Sequence, residues 1–468
     1  MPTERNEEAE SHRIILLRGQ KPEVLLAIEG SPRRTLPEIL IPRWQRVAEH
    51  LTAALRDTCG IDAVSLSSFE YPLSGPSSEP IRYEILEPCG PEANAPREME
   101  WVSVDTLVES GFPDRCDFQA VHQAVAQCVP DRENTISGPF GRLGWFPAYR
   151  QWVEEKIAPH GLHLNGKFRQ LNACSTFSLI RFETDGPAVW FKAVGAPNLR
   201  EYPITAALAR SFPRFLPQIV ATQPEWNGWL SLEVAGSLLS ECPTPASWES
   251  AAGNLAELQI SSLGGSARLL EPGARDLRAS TLADRVETFF STMGELMERQ
   301  TKTPPAPLTH AELRAISTRV RDALAVLEET GIPATLGHLD LNPGNIVCSQ
   351  AGCVFLDWAE AFVGHPFLSF EYLLEHFRRA FGLDHSEEPR LVARYTASWR
   401  PFASEGDIHR ALDVAPLVAL FAYAMGSYLW ENPQKLEVPR TAGYLRSLTR
   451  RMQRASRVLG ERSVRCPR

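Results

Sequence analysis

Residues 336–360 read LGHLDLNPGNIVCSQAGCVFLDWAE, and the rest of the chain is understood from this stretch outward. It sets His338, Asp340, Asn345 and Asp357 in the order H-x-D-x-x-x-x-N, an apolar run, then D-W. Asn342, Pro343 and Gly344 surround Asp340 with turn-forming residues, which predicts a tight loop. Residues 353–356 (CVFL) form an apolar run of strand length that delivers Asp357 at its end. An isolated H-x-D is most simply a polar turn. Four such residue types in order, with a strand behind them, ask for a chemical reading.

Phosphoryl transfer uses this set of groups. One carboxylate orients the attacking hydroxyl and takes its proton, while a second carboxylate and an amide oxygen hold the metal that bridges the nucleotide phosphates. Asp340 suits the first task; Asn345 and Asp357 suit the second. The stretch resembles the catalytic core of the aminoglycoside phosphotransferase and choline kinase group, which has a protein-kinase-like fold. Members typically read HGDLHPGNIL and then a strand ending IDWE, where this chain reads HLDLNPGNIV and FLDWAE. Leu339 replaces the usual Gly, Asn342 the usual His, and the acidic residue after Trp358 arrives one position late, at Glu360. None of these removes a proton acceptor or a metal ligand. The resemblance implies a bilobal α+β phosphotransferase that uses ATP and Mg2+ and moves the γ-phosphate to the hydroxyl of a small molecule. His338 is expected to prop the loop.

The resemblance places a small lobe at 148–235. A helix over 147–157 precedes three expected strands, one ending near Leu171, one at 177–182 and one at 188–194, with Asp185-Gly186 as the second turn. By position Lys192 is the lysine that such a lobe sets against the α/β-phosphates; an outward-facing lysine on an edge strand is the plainer alternative. The first turn, 172–176 (NACST), resembles the serine-containing phosphate loops of small-molecule kinases, in which Ser175, Thr176 and backbone amides donate to phosphate. A helix is expected over 198–212. The resemblance pairs Glu201 with Lys192, and a glutamate favouring the helix macrodipole in the first turn is an equally simple reading. Residues 226–235 supply two short strands across Asn227-Gly228 and the hinge at 232–235.

The large lobe is expected at 236–468, with helices over 245–263, 282–298 and 309–328. Thr309 and Glu312 make a capping box for the third. After the D-W, relatives often carry G-D-P-x-x-D-L. Here His365 and Ser369 stand at the two acidic positions, which leaves the support of the catalytic loop open. Further helices are expected over 369–381, 388–400, 408–430 and 440–459. Glu360, Glu371 and Glu375 are candidates to line an acceptor pocket and attract a cationic acceptor, and solvated helix faces account for them as well.

Residues 1–12 read as a disordered tail. Residues 13–17 and 23–27 form an expected hairpin. Trp44, Val47, Leu51 and Leu55 recur at helical spacing ahead of a Gly60 cap. Strands at 82–86 and 98–102 and a helix over 118–128 follow. This order resembles a Nudix domain. With Gly60 on the last glycine of its box, Gln45 falls on the first glutamate, Ala53 and Ala54 on the Arg-Glu pair, and Asp57 and Thr58 on the terminal acidic pair. At most one metal-binding carboxylate survives, so the resemblance implies a degenerate, non-hydrolytic Nudix-like domain over 13–130. A linker is expected at 131–147.

A net charge of −9 disfavours nucleic acid as partner, because phosphate binding needs a basic face. The nine cysteines show no zinc spacing and read as reduced thiols. The polar, acidic N-terminus is no signal peptide. The longest uncharged run, 414–430, contains Pro416 and Gly426 and reads as a buried helix rather than a membrane span. The expected setting is cytoplasmic. The altered 364–369 run keeps one alternative open, a nucleotide-binding pseudokinase or regulatory module without turnover.

Overall fold

The computed structural model describes residues 9–28, 34–43, 45–71, 80–90, 94–129, 139–382 and 386–465. The chain is α+β and divides into two compact units, Met1–Tyr202 with Gln218–Glu233, and Pro203–Pro217 with Val234–Arg468.

The first unit contains β1 (Ala9–Arg18), β2 (Glu23–Ile28), β3 (Arg34–Thr35), β4 (Glu38–Pro42), α1 (Val47–Cys59), β5 (Ala63–Tyr71), β6 (Ile81–Pro88), β7 (Met99–Ser103), α2 (Arg115–Cys128) and α3 (Trp145–Ile157). It continues through β8 (Leu164–Cys174), β9 (Phe177–Thr184), β10 (Val189–Ala193), the start of α4 (Glu201–Ser211), β11 (Ile219–Gln223) and β12 (Gly228–Leu232). Strands β3-β2-β1-β6-β5 form one sheet, with β4 and β7 paired to β1 and β2; β1 and β6 run parallel. Strands β11-β12-β10-β9-β8 form a second, antiparallel sheet.

The continuous apolar run of β1 has a physical cause. Side chains alternate across a strand, so Ile15 and Leu17 enter one core while Ile14 and Leu16 enter another. Leu51 and Leu55 of α1 cover the second core, and Gly60 ends α1 in the left-handed conformation. The first core also takes Val121 of α2, Phe146 and Tyr149 of α3, and Phe182 and Phe191 of the second sheet.

Two expected boundaries differ. Strand β1 begins at Ala9, inside the expected tail, because residues 9–13 pair with β4 and Glu10 meets Arg43 (2.9 Å) and Arg82. Residues 1–8 lie outside the described residues, as do Trp44, Cys466 and residues 131–138 of the expected linker. The part of that linker which is described is no spacer. Phe140 and Phe146 sit in the core shared with β2 and β6, and Gln170 of β8 bonds both Ser65 N (2.7 Å) and Ser65 O (3.1 Å) of β5. Residues 13–130 and the expected small lobe are therefore one unit.

The second unit contains the rest of α4, β13 (Ser237–Leu238), α5 (Pro245–Ser261), β14 (Arg275–Leu277), α6 (Ala279–Glu298), α7 (His310–Glu329), β15 (Thr335–His338), β16 (Ile346–Ser349), β17 (Gly352–Phe355) and β18 (Ala361–Gly364). Helices α8 (Phe367–Phe381), α9 (Glu388–Thr396), α10 (Glu405–Ser427), α11 (Pro433–Leu436) and α12 (Pro439–Arg465) follow. One core collects the apolar faces of α5, α6, α7, α8 and α10. The Thr309–Glu312 capping box starts α7. Helix α10 is long and apolar enough, by length and composition, to cross a membrane; Leu417, Val418 and Phe421 on it belong to this core. Two three-stranded sheets, β13-β16-β17 and β14-β18-β15, position the loop that carries Asp340. The eight described cysteines are free thiols, and Cys348 and Cys353 face each other across β16 and β17 with sulfurs 3.1 Å apart.

Candidate active site

The site of the second unit is built on one loop and the hairpin that follows it. Strand β15 ends at His338, which is fully buried. Its Nδ1 accepts the Asp340 N–H (3.0 Å) and its Nε2 donates to Leu356 O (3.0 Å), an arrangement that fits the neutral Nε2–H tautomer. Burial pushes the imidazole pKa down, against the pull of Asp340 and Asp357. His338 thus ties the residue before Asp357 to Asp340 as an uncharged strut.

Asp340 is half-buried and held from several sides. Asn342 Nδ2 donates to its Oδ1 (3.1 Å), Asn345 Nδ2 lies 3.3 Å from its Oδ2 and 3.0 Å from its carbonyl, and the Tyr372 hydroxyl reaches Oδ1 at 3.4 Å. With its amide nitrogen so engaged, Asn345 keeps Oδ1 as an oxygen donor. The turn is closed by Asn342 Oδ1, which accepts the Gly344 N–H (2.9 Å).

Strands β16 and β17 leave Asn345 and return to Asp357. Leu356 N donates to Asn345 O (2.8 Å), so the chain segments carrying the two candidate metal ligands are bonded to each other. Asp357 is exposed and adopts a left-handed backbone (φ 59°, ψ 64°), a conformation that costs a non-glycine residue energy and clusters at functional positions. Trp358 behind it donates Nε1–H to Phe355 O (3.1 Å).

Each departure from the familiar pattern has a local explanation. Leu339 is buried where a Cβ on Gly426 of α10 would lie 2.3 Å from its Cδ1; the missing side chain at 426 makes room for it. Ser369 Oγ accepts the His338 N–H (2.8 Å) with both residues fully buried, so the serine supports the loop without a charge. His365 Nδ1 accepts the Phe367 N–H (3.3 Å), and burial pushes its pKa down to about 3. The late acid, Glu360, binds Arg275 Nη1 (2.6 Å) while its carbonyl accepts the Leu339 N–H (3.1 Å).

Arg275 also donates to Ala359 O (2.8 Å) from β14, a three-residue strand with no periodic signal in the sequence. That residue, Tyr372 and the acceptor role of Ser369 were not read from the sequence. The D-x-N spacing of Asp340 and Asn342 did carry a signal, an Asx turn whose amide folds back on the aspartate.

The three acids expected to attract a cation are already paired. Glu360 meets Arg275, Glu371 meets Arg378 (3.3 Å), and Glu375 meets Arg379 and Arg451 (2.7 Å).

The first unit positions the other candidates. Lys192 lies on β10 between β9 and β12, not on an edge strand, and forms an ion pair with Glu201, which is 1 % exposed. The short connection between them is closed by Asn198 N to Gly195 O (2.8 Å) and Glu201 N to Asn198 O (2.9 Å). Asn227, itself left-handed, donates from Nδ2 to Val194 O (2.9 Å) and Leu199 O (3.1 Å) and so fixes both ends. Lys192 Nζ also lies 5.9 Å from the Trp229 ring. The expected five-residue phosphate loop is shorter. Strand β8 continues through Cys174, which pairs with Phe177, and leaves Ser175 and Thr176 as a two-residue turn. The reason is packing: Gly195 sits so close to Thr176 that a Cβ there would lie 2.2 Å away, and Phe140 N bonds Ser175 O (3.2 Å).

Residues 226–412 match the phosphotransferase enzyme family (APH). No curated protein sequence matches the chain. Among solved structures the chain is similar to a macrolide 2'-phosphotransferase apoenzyme from Brachybacterium faecium (16 % identity, 67 % of this chain and 98 % of that one, TM-score 0.40). It is similar also to Plasmodium vivax ethanolamine kinase (14 %, 72 % and 96 %, 0.45) and to a choline kinase from Cryptosporidium parvum Iowa II (12 %, 68 % and 97 %, 0.47). The stretch that carries His338, Asp340, Asn345 and Asp357 lies within the residues that match the phosphotransferase enzyme family.

Proposed function

We propose that the protein is a phosphotransferase that moves the γ-phosphate of ATP, with Mg2+, to a hydroxyl of a small molecule. The observation that carries this reading is the Asp340 carboxylate, held by Asn342, Asn345 and Tyr372 on a neutral His338 strut, with Asn345 and Asp357 at the two ends of one hairpin. Asp340 accepts the proton of the attacking hydroxyl and orients it, a contribution on the order of 10²–10⁴ in rate. The Asn345 amide oxygen and the Asp357 carboxylate are the oxygen donors that magnesium prefers. When bound there, the metal would neutralise charge building on the transferring phosphoryl group. Lys192, fixed by Glu201, contacts the α/β-phosphates, and Ser175 and Thr176 donate from the β8–β9 turn. Ser369 in place of an aspartate keeps the loop braced, which favours an active enzyme over a pseudokinase.

For the first unit we propose a Nudix-like fold without hydrolytic function, in a cytoplasmic protein. Of the positions aligned with the metal-binding carboxylates only Asp57 is acidic, and it is exposed on α1. The test of the main reading is acceptor-dependent conversion of ATP to ADP over a metabolite library, with the phosphorylated product located by mass spectrometry. Product formation that stops on chelation of Mg2+ supports it. Saturable Mg-ATP binding with no product over the whole library overturns it in favour of the pseudokinase.

A further inference from the structure

Helices α8, α10 and α12 line a half-open cavity of about 310 Å³ within the second unit. Its floor is apolar, from Pro416 and Leu420 of α10. Tyr372 and Tyr423, stacked with ring centroids 6.2 Å apart, form one wall. Through the Tyr372 hydroxyl, 3.4 Å from Asp340 Oδ1, this wall reaches the proposed proton acceptor. A molecule lying in the cavity meets Tyr372, the side chain that links the cavity to Asp340.

The charges on the wall do not suit a cationic guest. Two carboxylates line the cavity, Glu371 and Glu375, against three guanidiniums, Arg379, Arg451 and Arg454. Glu375 Oε1 is shared by Arg379 and Arg451, so one carboxylate already serves two cations. Glu371 turns to Arg378, and burial pushes its carboxyl pKa up to about 7, so it is partly uncharged near neutrality. Arg454 is exposed on α12 and has no ion-pair partner among the described residues. An ammonium placed here would meet an excess of like charge. An oxyanion would meet the fork of Arg454, with Arg451 beside it on the same wall, and guanidinium groups match carboxylate and phosphate best.

We propose that the acceptor carries an oxyanion, a carboxylate or a phosphate, in addition to the hydroxyl that is phosphorylated, and that Arg454 with Arg451 receives it. This rests on the phosphotransferase reading for the identity of the hydroxyl end, and replaces the expectation of a cationic acceptor. Asp340 takes the hydroxyl proton while the oxyanion is anchored on α12.

The test uses the full chain and polyols of three to six carbons, each with its matched aldonate, terminal phosphate and terminal amine. The expected order of kcat/KM puts the aldonate or the phosphate first and the amine last, and which anion leads separates carboxylate from phosphate. Arg454→Glu should raise KM for the anion by about tenfold or more, with kcat much less affected, and should improve the amine. Because Arg454 is exposed, the variant is expected to fold. Calorimetry of the anions without nucleotide supplies a second readout. Anion binding that weakens in Arg454→Glu, in a protein that transfers no phosphate, would uphold the oxyanion site while removing the phosphotransferase reading. Preference for the amine, or equal anion affinity in wild type and Arg454→Glu, would overturn the inference.

Discussion

Ser369→Ala isolates the bond that braces the candidate catalytic loop. Ser369 lies in the first turn of α8, has no exposed surface, and accepts the backbone N–H of an equally buried His338 at 2.8 Å. Replacing the serine by alanine removes one oxygen, so almost no cavity forms. The His338 N–H, however, is left buried without its acceptor, and an orphaned buried donor costs about 1–3 kcal/mol. We expect the unfolding free energy to fall by about 2 kcal/mol, read as a lower urea midpoint at unchanged slope. His338 carries this loss to the site, because the same residue accepts the Asp340 N–H and donates to Leu356 O. Transfer should therefore slow, with kcat down by roughly tenfold and KM for ATP little altered, as a positioning residue acting through Asp340 predicts. A Ser369→Ala protein within about 0.5 kcal/mol of wild type would refute the reasoning, because the bond would then bear no net load.

Three further outcomes follow from the packing and charge. Gly337→Ala would push a Cβ to within 2.1–2.6 Å of the Phe362 ring; overpacking of this kind costs about 1–3 kcal/mol or more, and adding Phe362→Leu should restore part of the loss in the same denaturation assay. Glu201→Gln leaves Lys192 in a largely buried position without its carboxylate, so stability should drop by roughly 3 kcal/mol and ATP affinity with it; unchanged stability would mean the pair is idle. Burial raises the folded-state pKa of Glu371 from 4.5 to about 7, so the fold favours its protonated form. Wild-type stability should accordingly fall as pH rises from about 4.5 to about 7 and level off above, with Glu371→Gln removing up to about 3 kcal/mol of that decline; superimposable pH profiles would contradict it.

The parts of this protein that are legible in the sequence are those set by local pattern. The Thr309–Glu312 capping box and the helical stripe of α7 belong to that class, as do the Gly60 cap and the turn-rich loop after His338. What is illegible depends on partners far away in the chain. The polar, glycine-rich composition of 131–147 suggests a linker, yet it cannot say that Phe140 and Phe146 will join the core of β2 and β6. The loss of an acid at 369 looks like lost support, because sequence shows the missing charge but not the buried N–H that needs only a neutral acceptor. Leu339 stands where a glycine is usual, and the sequence around it does not show that Gly426, on a helix 87 positions later, makes room for it. Glu371 and Glu375 look like a lure for cations because their arginine partners on α8 and α12 are invisible to a reading of one helix face.

Asp340 is the group that takes the proton from the acceptor in the proposed reaction. Asp340→Asn keeps the size and most of the hydrogen bonds of that side chain and removes its basicity. Measured side by side, phosphate transfer should fall by about 10²–10⁴ while the Kd for Mg-ATP stays within a few fold of wild type. Transfer at the wild-type rate in Asp340→Asn, with nucleotide binding intact, would contradict the mechanism at its centre.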